Sequence, residues 1–271
     1  MEWYIIPIAI GIGFCAGFIN TLAGGGSLLT LPLLMFMGLP ANVANGTNRI
    51  ALIAQNIIAT ASFRQQKVLD FRQGFFLALP AIIGSVIGAQ IAVNLDEDMM
   101  KKTIGGLLIV MFFIIIYKPD RWLKSHKRTT NEGIKDIKTA PLPCPGHASG
   151  LMALLNNIAR HRRKIIQVII FFCIGLYGGF IQAGVGFFLL AALVLGAGID
   201  LVRANAVKLL IVLIYNIFAF AVFIFNDQVD WILGLIVAAG NMAGAFVGSR
   251  VAVSWGPKFV RIILLITLVG S

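Results

Sequence analysis

Residues 17–32 read GFINTLAGGGSLLTLP and residues 44–49 read ANGTNR, so amides, hydroxyls and glycines interrupt an otherwise apolar stretch. A reduced copy follows later, where residues 179–186 read GFIQAGVG and residues 204–208 read ANAVK. Polar side chains and irregular backbone occur at membrane depth where they are buried in protein or line a cavity. The pattern therefore predicts a membrane protein with two related halves that handles a polar solute.

The composition supports this class, because 59% of the residues are hydrophobic and only 12% are charged. About 20 apolar residues are needed for one helical crossing. We predict an all-α polytopic membrane protein of about eight transmembrane helices, in two related four-helix repeats. The predicted spans are residues 4–22, 43–62, 74–93, 103–117, 165–183, 203–225, 231–253 and 258–270. Residues 28–37 and 187–195 are too short to cross alone and follow glycines, so we predict half-helices there.

A repeat with a single offset defines the predicted domains. Gly26 and Gly186 are 160 positions apart, and the same offset relates Asn45 to Asn205 and Asn56 to Asn216. We therefore predict a first transmembrane repeat at 1–117, a basic cytoplasmic linker at 118–164 and a second repeat at 165–271. The sequence leaves open whether the repeats are parallel or inverted. Crossing counts favour parallel repeats, whereas the reversed charges of corresponding loops favour inverted ones.

The formal net charge of +11 is concentrated in the linker, which holds eleven Lys or Arg residues against three acidic ones. Basic loops stay in the cytoplasm. We therefore expect a multi-pass protein of the cytoplasmic membrane, with the linker, the basic loop 64–72 and the N-terminus inside. The acidic stretch 96–98 is expected outside. This reading assigns the charge to topology and lipid contact rather than to nucleic acid.

The polar residues of the second span in each half share one side of a helix. Asn45, Asn48 and Asn56 fall at i, i+3 and i+11 with Arg49 beside them, and Asn205, Lys208 and Asn216 repeat the spacing. Such residues either hydrogen-bond between helices or line a cavity. Glycines 24–26 break the preceding helix and expose the N-terminus that follows, which attracts anions. By contrast, Gly84 with Gly88 and Gly244 with Gly248 are typical of close helix packing.

Catalytic and cofactor motifs are missing from the sequence. It has no Walker A loop, no His-Glu-x-x-His and no Gly-x-Ser-x-Gly. Every Asp and Glu lies in a loop or at the edge of a predicted span. We therefore predict no enzyme, no metal and no cofactor, and coupling through a buried carboxylate is disfavoured.

The glycine-rich stretch at 17–32, with Gly38-Leu39-Pro40 and residues 44–48, resembles the TauE/SafE sulfite exporter-like family, and the resemblance covers nearly the whole chain. It implies secondary export of a small sulfur-containing anion, such as sulfite, a sulfonate or a related organic acid, by alternating access. An anion channel of the same architecture is the alternative. The expected partners are the anion and membrane lipid, and a homo-oligomer is compatible with the sequence. The predicted substrate-binding residues are Asn20, Gly24, Gly25, Gly26, Ser27, Thr47, Asn48, Arg49, Gln182, Gly184, Gly186, Asn205 and Lys208.

Overall fold

The computed structural model describes residues 5–117, 148–196, 198–256 and 259–260. In these residues the chain is helical, with no strand. The helices are α1 (Ile5–Leu22), α2 (Ser27–Phe36), α3 (Ala41–Gln65), α4 (Phe71–Val93), α5 (Glu97–Tyr117), α6 (Ala148–Phe180), α7 (Val185–Ala191), α8 (Leu201–Phe225) and α9 (Trp231–Ser254). A π-helical turn, Ala192–Gly196, follows α7. Most of the predicted linker and of the predicted last span 258–270 lies outside the described residues.

The all-α class and the multi-pass membrane character are confirmed. Within the described residues, four helices are long and apolar enough to cross a membrane, namely α1, α4, α8 and α9. Helix α3 is long enough but carries Asn, Gln and Arg residues, and it packs against both α8 and α9. Its polar residues are therefore buried in protein rather than exposed to lipid.

Two of the helices are short, as the sequence predicts. Helix α2 covers most of the predicted half-helix 28–37, and α7 with its π-helical turn covers the predicted 187–195. Helix α6 differs from the prediction, because it begins at Ala148 and runs without interruption into the apolar segment expected from residue 165. The C-terminal part of the predicted linker is thus the first half of α6.

Turn geometry recurs at the offset of 160 residues. Gly24 and Gly184 both have positive φ, 92° and 73°, and so do Gly38 and Gly198, at 96° and 67°. Lys67 and Asp227, two non-glycine residues with positive φ, are the third such pair, at 57° and 55°. The loops that contain them end in Asp70 and Asp230, whose carboxylates accept the backbone N–H three residues later. These three pairs of corresponding residues therefore share a positive φ.

Close contacts between helices fix their relative directions. Along α1 and α9, Gly13 meets Val237 whereas Gly248 meets Phe18, so the two helices are parallel. The same holds for α4 and α6, where Gly84 meets Phe172 and Gly88 meets Phe180. Helix α3 is parallel to α9, because Gly46 contacts Gln228 and Ser62 contacts Ser249.

Helices α3 and α8 cross the centre of the bundle in opposite directions. Gly46 lies against Phe223, Arg49 binds Asn216, and Phe63 shares a cluster with Val202. Helix α8 is in turn parallel to α4, because Gly74 lies against Leu210 and Ser85 bonds to Tyr215. Consequently α1, α3 and α9 point one way, and α4, α6 and α8 point the other way.

The helix directions correct one expectation. Because α1 and α6 are antiparallel, the start of α1 and the linker-side start of α6 lie at opposite ends of the bundle. These helix directions do not agree with our expectation, from the loop charges, that the N-terminus and the linker are both cytoplasmic. The physical reason is α2, which turns the chain back inside the bundle and adds a reversal without a full crossing.

Candidate functional site

The two glycine loops meet inside the bundle. A Cβ atom added to Gly24 would lie 2.5 Å from the Cα of Gly186, and one added to Gly186 would lie 2.3 Å from the Cα of Gly24. Gly24 and Gly184 have positive φ and lie in the loops that follow the ends of α1 and α6. The structure thus brings the predicted glycines of the two halves into direct backbone contact.

Lys208 of α8 binds the end of α1. Its Nζ donates to the backbone oxygen of Asn20 at 3.0 Å, to that of Thr21 at 3.5 Å and to Oδ1 of Asn205 at 2.9 Å. The side chain is 1% exposed. All three N–H groups of the ammonium are therefore used within the protein.

Arg49 of α3 makes the corresponding contact with the end of α6. Its Nη1 donates to Oδ1 of Asn216 at 2.7 Å, and its Nη2 donates to the backbone oxygens of Gly178, at 3.3 Å, and Gly179. The guanidinium carbon lies 4.5 Å from the centre of the Phe223 ring, within the range of a cation–π contact. Only Nε of this side chain lacks a partner in the described part of the chain.

The C-terminus of a helix carries partial negative charge and unpaired carbonyl groups. Each buried cation thus stabilises the C-terminus of a broken helix in the opposite half. Arg49 of α3 stabilises the end of α6, and Lys208 of α8 stabilises the end of α1. Asn45 and Asn205 reinforce the arrangement, because their Nδ2 atoms donate to the backbone oxygens of Phe180 at 2.8 Å and Leu22 at 2.9 Å. Much of the predicted positive potential is therefore compensated by helix ends.

A second set of polar atoms on α3 has no such partner. Oδ1 of Asn48 accepts from the hydroxyl of Thr30 at 2.6 Å, but its Nδ2 is unpaired among the described residues, as are Nδ2 of Asn56 and Nε of Arg49. At 100° per residue these three side chains fall within about 100° of the helix circumference. Buried N–H groups are normally paired with protein, water or ligand. All three atoms are inaccessible to solvent in this conformation, so an anion or a water reaches them only after the surrounding helices move.

The other predicted residues have their polar atoms occupied elsewhere or serve packing. Thr47 Oγ1 accepts the backbone N–H of Asp230 at 2.8 Å, and the Gln182 amide exchanges two hydrogen bonds with the Tyr215 hydroxyl at 2.9 and 3.1 Å. Gly26 packs against α1, where an added Cβ would lie 2.1 Å from the Ala16 oxygen. Ser27 is buried as the first residue of α2, and the backbone oxygen of Gly25 accepts from Leu28.

Sequence reasoning left several interior residues out of the predicted site. The i+11 spacing predicts Asn56 on the same helix face as Asn45, although the predicted site does not include it. Asn216 has the same spacing from Asn205. Gln55, whose Nε2 donates to Asn56 at 3.3 Å, falls on the edge of the same sector. Thr30 is a single polar residue in the apolar run 28–34, so no pattern indicates it. Tyr215 precedes Asn216 but is not part of the repeated Asn and Lys spacing.

Known proteins resemble this chain along nearly its full length. The family described as "Sulfite exporter TauE/SafE" matches residues 9–271. A "Probable membrane transporter protein YfcA" of Escherichia coli K12 is 28% identical, over 97% of this chain and 87% of that protein. A "Probable membrane transporter protein ORF9" of a Sinorhizobium species is 27% identical, over 100% and 92%. One from Haemophilus influenzae is 23% identical, over 97% and 91%. No solved structure gives a significant match.

Proposed function

The chain belongs to the TauE/SafE family of membrane transporters, and from this we propose that it exports a small sulfur-containing anion across the cytoplasmic membrane. Sulfite, a sulfonate or a related organic acid is the substrate class. One observation supports the anion above all, which is the group of unpaired N–H donors at Asn48, Arg49 and Asn56 in the interior, where the amide oxygens of Asn45 and Gln55 are unpaired as well. Hydrogen bonds from such donors to an anion are strong, because the acceptor is charged and the surroundings have a low dielectric constant.

The positions of the acidic residues are consistent with an anionic substrate. Among the described residues none of the Asp or Glu side chains is buried, so the interior near Arg49 and Lys208 holds no carboxylate to repel an anion. Movement of one negative charge out of a cell with an interior potential near −100 mV is favourable by about 2.3 kcal/mol. Export therefore needs no intramembrane carboxylate for coupling.

We propose that residues 1–117 and 165–271 are inverted repeats, joined by the linker 118–164, and that transport occurs by alternating access. The opposite directions of α1 and α6 and the paired turn geometries support the inversion. The contact between Gly24 and Gly186 is the place where the glycine loops of the two halves meet. Transporters built from inverted repeats commonly bind substrate at such an interface, between broken helices.

The distribution of charge favours one orientation in the membrane. The end of the bundle with the α3–α4 loop is basic on balance, and α6 enters from the same end. It carries Arg64, Lys67, Arg72, Arg203 and Arg250 against Asp70 and Asp200. The opposite end carries Asp96, Glu97, Asp98, Asp227 and Asp230 against Lys101 and Lys102. By the positive-inside rule the basic end is cytoplasmic. The start of α1 then faces outward.

Binding can be tested by thermal unfolding of the detergent-purified protein with sulfite, thiosulfate, taurine, sulfoacetate, small carboxylates and chloride. A ligand that binds only the folded state raises the midpoint with its concentration. We expect sulfur oxyanions to raise it, and the shift to disappear in Asn48→Asp, which keeps the acceptor for Thr30 but replaces the N–H donor by a charge. The control is Asn94→Asp at the exposed end of α4.

Equal shifts with chloride, carboxylates and sulfur oxyanions would contradict the substrate class. An unchanged sulfite shift in Asn48→Asp would remove Asn48 from the site.

A further inference from the structure

A groove on the outer surface of the bundle lies apart from the interior site. It has a volume of about 520 Å³ and is formed by α3, the start of α4 and α8. The residues that line it are Ile57, Thr60, Ala61, Arg64, Gln65, Phe71 and Leu213. The volume is in the range of about 300–1,000 Å³ typical of small-ligand sites.

The chemistry of the groove changes along its length. Ile57, Thr60, Ala61 and Arg64 form one stripe of α3 at the spacing of neighbouring turns. Arg64 and Gln65 lie at the basic end of the bundle, next to the loop that leads to α4, and the rest of the lining is apolar except for Thr60. The groove thus offers a cation near the membrane surface and hydrocarbon below it.

Thr60 lies deeper in the wall of the groove. It is four residues before Arg64, which places it one turn, about 6 Å, further into the membrane. The residue is only 8% exposed and its Oγ1 atom is inaccessible, so the groove offers no hydroxyl at this depth.

The corresponding positions of the second half lack these polar groups. At the offset of 160 residues, the lining becomes Ile217, Phe220, Ala221, Ile224, Phe225, Trp231 and Ile53. Thr60, Arg64 and Gln65 are therefore replaced by Phe220, Ile224 and Phe225. Those positions lie at the acidic end of the bundle, so the polar groove occurs only where the basic residues are.

From these observations we propose that the groove binds an anionic phospholipid of the leaflet at the basic end. The phosphate lies at Arg64 and Gln65, and an acyl chain runs along Ile57, Phe71 and Leu213. Hydrocarbon contact gives binding energy, and the single guanidinium selects a negatively charged headgroup. This assignment is independent of the transported substrate and requires only that the protein is embedded in a membrane.

The test measures thermal unfolding of the full-length protein in mixed micelles that contain either phosphatidylglycerol or phosphatidylcholine with the same acyl chains. We expect the midpoint to rise with the fraction of phosphatidylglycerol and to rise less with phosphatidylcholine. Arg64→Gln should abolish this difference. Arg203→Gln is the matched control, since Arg203 is exposed at the same end of the bundle but does not line the groove.

The midpoint of Arg64→Gln in phosphatidylcholine should equal that of the wild type, which separates lipid selectivity from folding. Inorganic phosphate should have no effect, because it lacks the acyl chain. Equal stabilisation of the wild type by both lipids would overturn the proposal, as would a phosphatidylglycerol effect that survives Arg64→Gln or is lost equally in Arg203→Gln.

Discussion

Arg49 and Lys208 are buried cations whose roles the sequence predicted only in part. Their helix positions predicted an inward direction, which the burial of both side chains confirms. Their partners are the ends of α6 and α1, more than a hundred residues away in sequence, and no local pattern indicates such contacts. The predicted site also includes Thr47, which lies outside the sector of the α3 helix that holds Asn48 and Arg49. Thr47 instead contacts the loop before α9.

The contacts of Lys208 predict a loss of stability when the charge is removed. Lys208→Met leaves the carbonyl groups of Asn20 and Thr21 without their donor in a buried site. Hydrogen bonds to charged groups contribute about 1.5–3 kcal/mol each, so we expect the free energy of unfolding to fall by at least that amount. Thermal unfolding in detergent measures it, with Arg203→Met, five residues earlier and exposed, as the control. Equal midpoints for Lys208→Met and the control would refute this role.

The glycine contact predicts a second difference that a matched pair can isolate. Gly24→Ala and Gly38→Ala both place a Cβ at positive φ, which costs about 1–2 kcal/mol. Only Gly24→Ala also places that atom against Gly186, since nothing lies within 4 Å of a Cβ at Gly38. We therefore expect Gly24→Ala to lower the unfolding midpoint clearly more than Gly38→Ala. Equal midpoints would mean that the two loops do not touch.

At the scale of elements, the sequence predicted most helices but not their partners. The assignment of Gly84, Gly88, Gly244 and Gly248 to packing agrees with the structure, where backbone atoms of α6 or α1 lie within 3.2 Å of the added Cβ atoms. Small residues show that a close neighbour exists but do not identify it. The pairing of α1 with α9 and of α4 with α6, across the two halves, therefore could not be read from the sequence.

Helix α1 contains a matched pair of glycines that tests this packing. A Cβ at Gly17 would lie 2.2 Å from the Asn241 oxygen of α9, whereas a Cβ at Gly11 meets nothing within 4 Å. We expect Gly17→Ala to lower the free energy of unfolding by about 1–3 kcal/mol through overpacking. Gly11→Ala should be neutral or slightly stabilising, because alanine favours helix. A Gly17→Ala protein as stable as Gly11→Ala would contradict the parallel packing of α1 and α9.

At the scale of the whole molecule, the direction of the second half relative to the first decided the topology. The sequence left this open, because counting crossings requires knowing whether the short helices traverse the membrane. Helix α2 returns the chain inside the bundle, so that α1 and α3 are both parallel to α9. The reversed loop charges agree with the inversion that we propose, whereas the crossing count does not.

The proposed orientation predicts opposite accessibility for two loops. In a variant with Cys15, Cys144 and Cys173 replaced by serine, Lys67→Cys and Asp98→Cys place single thiols at the basic and acidic ends. A membrane-impermeant maleimide applied to intact cells should label Asp98→Cys at once and Lys67→Cys only after permeabilisation. Labelling of both thiols from the same side would contradict the helix directions, and the opposite labelling pattern would reverse the orientation.

Anion efflux from proteoliposomes tests the transport function most directly. Vesicles loaded with sulfite or taurine, and given a membrane potential that favours anion exit, would be compared with protein-free vesicles. We predict efflux that saturates with anion concentration, as expected of a carrier rather than a channel. The efflux rate should fall at least tenfold in Asn48→Asp, which corresponds to a loss of about 1.4 kcal/mol in transition-state stabilisation. It should not fall in Asn94→Asp. The proposed transport function would be contradicted if no sulfur anion left these vesicles faster than protein-free vesicles. Equal efflux in Asn48→Asp and Asn94→Asp would contradict the role of Asn48.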